Sequence, residues 1–214
     1  MKVYYKGHPV LPTDRGSKIT KSYSKGKELV VRYKFDKNIY DNLIPEFNSE
    51  FTDYEIIDAK KPSDFNYDYA LVDEALVGES VVDSNARIEE LPDNIVVRSI
   101  YTTGQQPTMI RFGVDGTTEV GTSMSLSLLE ILYLNTINLN TCLRMFKACN
   151  NLMKVNCSNW DTSKVTDMHA MFAYCYKLTS LDLSNFDTSN VTDMYCMFYN
   201  CNSLTSLDVS NWEY

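Results

Sequence analysis

The chain has 214 residues, of which 44% are hydrophobic, 12% aromatic and 22% charged, and its formal net charge is −8. This composition excludes a disordered or collagen-like chain, and the length allows one domain or two small ones with a hydrophobic core. No apolar run approaches the roughly 18 residues of a membrane-spanning helix. Residues 1–12 lack the apolar stretch of a secretory signal peptide, so Sec-type export is not expected.

The charge is unevenly distributed along the chain. Residues 1–40 contain 10 Lys/Arg and 3 Asp/Glu, a local net charge of +7. Residues 41–100 contain 4 basic and 15 acidic residues, a local net charge of −11. Glycines and prolines interrupt residues 1–28, and the apolar residues there follow neither the helical nor the strand period. The sequence therefore predicts a basic extended arm (1–28) ahead of an acidic body.

Residues 29–120 are predicted to form a small acidic α+β or mostly β domain. Alternating and β-branched residues indicate strands at 29–35, 54–58, 95–101 and 109–114. Residues 39–51 are weakly helical, and residues 67–77 are ambiguous. The Asp115–Gly116 pair predicts a tight hairpin turn within 108–120. We expect this domain to cap the repeats that follow it.

The C-terminal part, predicted as a domain over 121–214, repeats with a period of 26 residues. Residues 145–170 align without a gap to 171–196, a partial copy covers 197–214, and a degraded copy covers 119–144.

Each copy combines two apolar periods. Leu181 and Leu183 alternate with a polar residue, as in a half-buried strand. Met168, Met171, Phe172 and Cys175 follow the i, i+3, i+4, i+7 spacing of a short helix. The predicted fold class is therefore α+β: a small mixed or mostly β N-terminal domain followed by a leucine-rich-repeat-like solenoid of about 3.5 strand-plus-short-helix turns.

The phrase LTSLDLSNFDTSNVTDMYCMFYNC (178–201) resembles the BspA-like repeats of bacterial surface proteins, and the resemblance covers about 125–214. The same repeats occur in bacteriophage-encoded proteins. The resemblance implies an exposed recognition surface, on a virion or a cell, rather than a chemical activity.

Three sets of residues recur in register and form candidate ladders. Cys149, Cys175 and Cys201 are interpreted as small buried thiols, with disulfides as the alternative. The cysteines lack the close pairs of a structural zinc site, so no metal is predicted. The aromatic ladder is predicted to stack in the core or to expose a ligand platform, and the aspartates to form turns or to bind a cation or sugar. The aromatic ladder contains Trp160, Phe186 and Trp212. The aspartate ladder contains Asp161, Asp187, Asp167 and Asp193.

Two segments are candidate partner-binding sites. The first is the arm, with Lys18, Lys21, Tyr23, Lys25 and Lys27. The second is the last strand, where Trp212 and Tyr214 leave an edge that favours another protein or a symmetry mate, with shielding by the chain itself as the alternative.

No catalytic motif or phosphate-binding loop is present in the sequence, so no catalytic residue and no cofactor are predicted. We expect a non-enzymatic structural and recognition protein of a bacteriophage virion, held by its arm to other virion proteins. A bacterial surface adhesin or glycan-binding module is the alternative. Nucleic-acid binding by the arm is a third hypothesis, which the charge of −11 on the neighbouring body disfavours.

Overall fold

A computed structural model of the protein describes residues 27–59 and 92–212. The described residues divide into two compact units: the first contains residues 27–32, 54–59 and 92–103, and the second contains residues 33–53 and 104–212. The elements in chain order are β1 (Glu28–Asp36), β2 (Glu46–Phe47), β3 (Tyr54–Ala59), β4 (Ile95–Thr102), β5 (Ile110–Arg111), α1 (Ser123–Ser127), β6 (Leu128–Leu134) and β7 (Lys154–Val155).

In the first unit, β3 pairs antiparallel with β4, and β4 is the neighbour of β1. A buried arginine of β1 binds across to β4, where the Arg32 Nε donates to Ser99 Oγ at 2.9 Å. On β4, the Arg98 guanidinium pairs with both carboxylate oxygens of Asp58 at 2.7 Å. This fork-to-fork pairing satisfies a cation that is itself almost fully buried.

In the second unit, β1 is the neighbour of β6, and β6 pairs in parallel with β7. The short strands β2 and β5 form a separate antiparallel pair. Tyr33 of β1 contacts the ring of Phe112 edge-on at 4.9 Å and donates its hydroxyl to Leu43 O. These contacts connect β1 to the loop before β2 and to the segment after β5.

The strands predicted at 29–35, 54–58 and 95–101 are confirmed as β1, β3 and β4. The weak helix predicted over 39–51 is wrong, because this stretch contains turns and the short strand β2. The hairpin predicted within 108–120 is also wrong, because β5 pairs with β2 instead. The ambiguous segment 67–77 and arm residues 1–26 lie outside the described residues.

The predicted fold class is wrong. Among the described residues the fold is small and sheet-rich, its one helix is the five-residue α1, and no solenoid of strand-plus-helix turns is present. The segments with helical spacing, such as 166–175, are successive turns. The alternating segment 178–186 has no strand, whereas the two earlier copies contain β6 and β7.

The backbone of the repeat explains why the helix is absent. Ala170 and Tyr174 have positive φ values of 52° and 64°, which a right-handed helix does not contain. The bonds within the segment span three residues, from Met171 N to Met168 O and from Ala173 N to Ala170 O. Such turns bury the same side chains as one helix face, so the apolar spacing did not distinguish the two structures.

Asparagine side chains replace the expected strand pairing. The Asn185 amide donates to the carbonyl groups of Cys157 and Trp160, at 3.1 and 2.8 Å, in the preceding copy. Asn159 and Asn211 make corresponding bonds to Leu134 O and Phe186 O. Because these amides bind the neighbouring carbonyl groups, the copies are connected here without a main-chain ladder.

Candidate partner-binding surface

Three turn segments, 140–149, 166–175 and 192–201, stack in register, and we call them the repeat stack. Alternate N–H groups of one segment donate to alternate carbonyl groups of the next. Between the first two segments, the bonds run from Arg144 to His169 (2.9 Å), from Phe146 to Met171 (2.8 Å) and from Ala148 to Ala173 (2.8 Å). Between the last two, they run from Ala170 to Tyr195 (2.9 Å), from Phe172 to Met197 (2.8 Å) and from Tyr174 to Tyr199 (2.7 Å).

A segment outside the repeats completes the first end of the stack. Phe112 N and Val114 N donate to Met145 O and Lys147 O at 2.8 and 2.9 Å, as one repeat segment donates to the next. The ring of Phe112 also stacks on that of Phe146, at 5.9 Å between centroids. Residues 108–114 therefore act as a cap, although they share no repeat pattern with the copies they cover.

Two columns of aromatic rings run through the stack. One continues from Phe146 through Phe172 to Phe198, with centroid distances of 5.3 and 5.8 Å. The other is formed by the predicted aromatic ladder of Trp160, Phe186 and Trp212, with distances of 5.7 and 6.2 Å. All three members of this second column are buried, so the structure places them in the core rather than on a platform.

The predicted cysteine ladder lies beside these columns, and all six cysteines are free thiols. Cys149 and Cys175 are buried, and Cys201 is partly buried. The Sγ atoms of Cys175 and Cys201 donate to Phe146 O and Phe172 O at 3.2 and 3.0 Å. Burial raises the pKa of Cys201 to about 11 and that of Cys175 well above its ordinary value, so these thiols stay protonated at neutral pH.

The predicted aspartate ladder forms local turns. Asp161 and Asp187 each accept the N–H (3.0 Å) and hydroxyl (2.6 Å) of the serine two residues on. Asp167 and Asp193 each accept the N–H two residues on, at 2.8 Å. The serine hydroxyls lower the pKa of Asp161 and Asp187. In the described ranges, no group of three or more His, Cys, Asp or Glu side chains is arranged to hold a metal ion.

Five aromatic side chains, of which Tyr174 is buried and the other four are at least partly exposed, form a region of the repeat stack that we call the aromatic face. His169 stacks on Tyr195 at 5.6 Å, and Tyr174 meets Tyr199 edge-on at 5.4 Å and Tyr176 at 6.2 Å. Cys196 packs against the cluster that contains Tyr174 and lies next to Tyr195 in the chain. Tyr195 is 71% exposed and Tyr199 is 51% exposed.

Carboxylates accompany these rings. Asp193 lies 3.6 Å from the Nδ1 of His169, and the Tyr174 hydroxyl donates to Glu119 at 2.9 Å. Burial, together with the Glu119 carboxylate, raises the pKa of Tyr174 to about 12. Tyr174 is thus a neutral, fixed member of the face.

The sequence analysis did not identify the aromatic face, although a signal was present. The position of His169 is Leu143 in the previous copy and Tyr195 in the next, and the position of Tyr199 is Ala173 one copy earlier. Core packing does not fix the residue type at positions that vary between copies. Large aromatic residues at such positions therefore indicate an exposed surface with a role of its own.

The predicted arm and terminal sites are described only in part. Lys27 pairs with Glu55 at 2.6 Å within the first unit. Trp212 is buried at the end of its aromatic column. Lys18, Lys21, Tyr23, Lys25 and Tyr214 lie outside the described residues. Within those residues, no helix has the length and apolar character to span a membrane.

Comparison with known proteins relates the C-terminal part of the chain to a described family. Residues 121–214 match the model of a family described as a Mycoplasma protein of unknown function, DUF285. No BspA-like family matches, so the BspA-like resemblance assigned to these repeats is wrong. No curated protein matches the chain. No solved structure matches it either.

Proposed function

We propose that the chain is a non-enzymatic recognition protein, in which the repeat stack holds the aromatic face against a partner protein. The single observation that carries this proposal is the pair of ring groups, His169 with Tyr195 and Tyr174 with Tyr199, in which Tyr195 and Tyr199 are exposed on a backbone bonded to the neighbouring copy.

The chemistry of the face suits a protein surface. Tyrosine offers a large apolar ring and a polar hydroxyl at little conformational cost, and it is enriched where proteins bind each other. The ring contacts between His169 and Tyr195 and between Tyr174 and Tyr199 restrain these side chains before a partner arrives. Less conformational entropy is therefore lost on binding.

The test compares a variant carrying both Tyr195→Ala and Tyr199→Ala with a control carrying Ile137→Ala and Met153→Ala, whose residues are also exposed. Proteins retained by the immobilised wild-type chain are identified, purified and titrated against each variant. We expect the tyrosine variant to bind a purified partner about 100-fold more weakly. The control should bind within about twofold of the wild type.

Three outcomes would overturn this proposal. The purified partner could bind both variants equally, no protein could be retained, or the only ligands could be glycans on an array. The last result would support the glycan-binding alternative.

A bacteriophage particle is the location that we propose, and a bacterial cell surface is the competing proposal. The support is the charge polarity of the sequence, +7 over residues 1–40 and −11 over residues 41–100. Mass spectrometry of purified particles from a producing strain should detect the chain at a fixed stoichiometry. Its absence from the particles would contradict this location.

A further inference from the structure

A loop of the second unit runs along the repeat stack between two fixed points, and we call residues 115–120 the strap. Before the strap, Val114 donates its N–H to Lys147 O at 2.9 Å. After it, Gly121 lies so close to the stack that an added Cβ would be 2.7 Å from Ala148 O. Between these points, no main-chain group of the strap bonds to another main-chain group in the described part of the chain. The strap is therefore attached mainly at its ends.

Hydrogen bonds and an ion pair hold the strap against two cations in the first segment of the stack. Arg144 Nη1 donates to Asp115 Oδ1 at 3.0 Å, and Lys147 Nζ donates to Gly116 O at 2.6 Å. The one apolar side chain of the strap, Val120, is 73% exposed. Because partly exposed polar contacts contribute little individually, the strap can detach while the stack stays folded.

The two cations are unusual for their positions in the stack. Lys147 is 5% exposed, and its burial, together with the neighbouring Arg144, lowers its pKa. The Nε atom of Arg144 is buried and has no hydrogen-bond partner among the described residues. The next segment has Ala170 and Ala173 at these two positions, and both are buried. The stack therefore does not require the charges, and one guanidinium donor beside the strap is unused.

The strap supplies the negative charge that faces these cations. Asp115 is the carboxylate that pairs with Arg144 within the described ranges. Glu119, which accepts the Tyr174 hydroxyl at 2.9 Å, acts with Asp115 to oppose the lowering of the pKa of Lys147. Both carboxylates are on exposed residues, so water competes for their contacts. Detachment of the strap would leave the two cations without these counter-charges.

We propose that Arg144 and Lys147 form a binding site for an acidic polypeptide segment of a partner protein, and that the strap occupies this site as an internal competitor. The incoming segment would place a carboxylate where Asp115 lies and a main-chain carbonyl group on the Lys147 amine. Arg111 also approaches Asp115, at 3.4 Å, but both carboxylate oxygens of Glu46 bind it at 2.9 Å, so it keeps that partner. The site is a second one, in addition to the aromatic face.

The first test measures the mobility of the strap in the full chain carrying Asp115→Asn and Glu119→Gln, which remove its charges. In ¹⁵N relaxation, the order parameters of Thr117 and Thr118 should fall below about 0.6 in this variant and lie clearly higher in the wild type. The amide of Ala148, which bonds to the next segment, is the control and should stay rigid in both proteins. A strap that is equally rigid in both would overturn the proposal.

The second test uses as its probe a synthetic peptide that copies residues 114–120, with blocked ends. It should bind the Asp115→Asn/Glu119→Gln variant at least about tenfold more tightly than the wild type. The reason is that the wild-type strap competes at an effective concentration on the order of millimolar. The amides of Arg144 and Lys147 should report this binding in an NMR titration. The same peptide with asparagine and glutamine at its acidic positions should bind the variant at least about tenfold more weakly.

A pair of charge substitutions tests the location of the site. Added to the same variant, Arg144→Gln should weaken binding of the acidic peptide by about tenfold or more. Lys164→Gln removes the same charge from an exposed position and should leave binding within about twofold. The comparison of the two peptides needs no substitution in the stack, so a folding defect of Arg144→Gln does not remove the test.

Three binding results would overturn the proposal. The acidic peptide could bind the wild type and the variant equally, the neutral peptide could bind as tightly as the acidic one, or inorganic phosphate could bind as tightly as the peptide. None of these measurements involves Tyr195 or Tyr199, so the proposed function is tested separately.

Discussion

The two ends of the repeat stack are completed differently. At the first end, Phe112 and Val114 supply the N–H groups that Met145 and Lys147 accept, and Phe112 extends the aromatic column. At the last end, no main-chain acceptor among the described residues binds the N–H groups of Met194, Cys196, Phe198 and Asn200. Copies of nearly the same sequence therefore have different burial, because burial depends on the neighbouring segment as much as on the copy itself.

Matched substitutions one period apart should show this difference most strongly. Phe172 is fully buried between two other rings, so Phe172→Ala should lower the free energy of unfolding by about 4 kcal/mol. Phe198→Ala removes the same atoms from a partly exposed site and should cost about 1.5 kcal/mol. Urea unfolding of both variants measures the two values, and equal losses would show that the last copy is as covered as the middle one.

The cap can be disrupted without changing any repeat residue. A Cβ on Gly113 would overlap the main-chain atoms of Arg144 and Lys147, lying only 2.7 Å from Lys147 O. Because main-chain atoms cannot move aside cheaply, Gly113→Ala should cost about 3 kcal/mol. The control Val120→Ala, at a position that is 73% exposed, should stay within about 0.5 kcal/mol in the same urea titration. If the Gly113→Ala variant were as stable as that control, the result would contradict the role of residues 112–114 in the cap.

The aspartate turns should contribute the smallest effect, and it should depend on pH. The pKa of Asp161 and Asp187 is lowered in the folded state, chiefly by the hydroxyls of Ser163 and Ser189. Their contribution is therefore present above the ordinary aspartate pKa of about 3.9 and is lost as the pH falls through the lower folded-state value. Both carboxylates are exposed to solvent, so the loss should be small.

The pH dependence is checked with the variant Asp161→Asn/Asp187→Asn. Its thermal unfolding midpoint should fall less than that of the wild type between pH 5 and pH 2. The variant Asp41→Asn, at an exposed aspartate outside the repeats, is the control and should follow the wild type. Parallel curves for all three proteins would contradict a role of these turns in stability.

Periodicity predicted the strands of the N-terminal half but not the fold of the repeats. The alternation in 29–35 and 95–101 has one simple structural solution, a buried strand. The spacing of Met168, Met171 and Phe172 fits at least two structures. Positive φ at Ala170 and Tyr174 lets a run of turns bury the same residues as a helix. Their conformation depends on hydrogen bonds to residues 25 positions away, which a local apolar pattern does not encode.

The sites were predicted to different extents for a related reason. The in-register cysteines and aromatic residues could be identified from the sequence, since they occupy the same position in each copy. The cap could not, because main-chain atoms of 112–114 make its bonds and no repeat pattern marks them. The aromatic face was missed since its residues differ between copies, and only the folded stack brings His169 next to Tyr195 and Tyr174 next to Tyr199.

The cap has a consequence for self-association. A donor row at one end and an acceptor row at the other would let identical chains add head to tail, which produces open-ended fibres when the contact does not close into a ring. Phe112 and Val114 occupy the carbonyl groups of Met145 and Lys147, so an incoming chain finds no acceptors there. Three residues of non-repeat sequence thus satisfy the main-chain acceptors with which another chain would have to pair at this end.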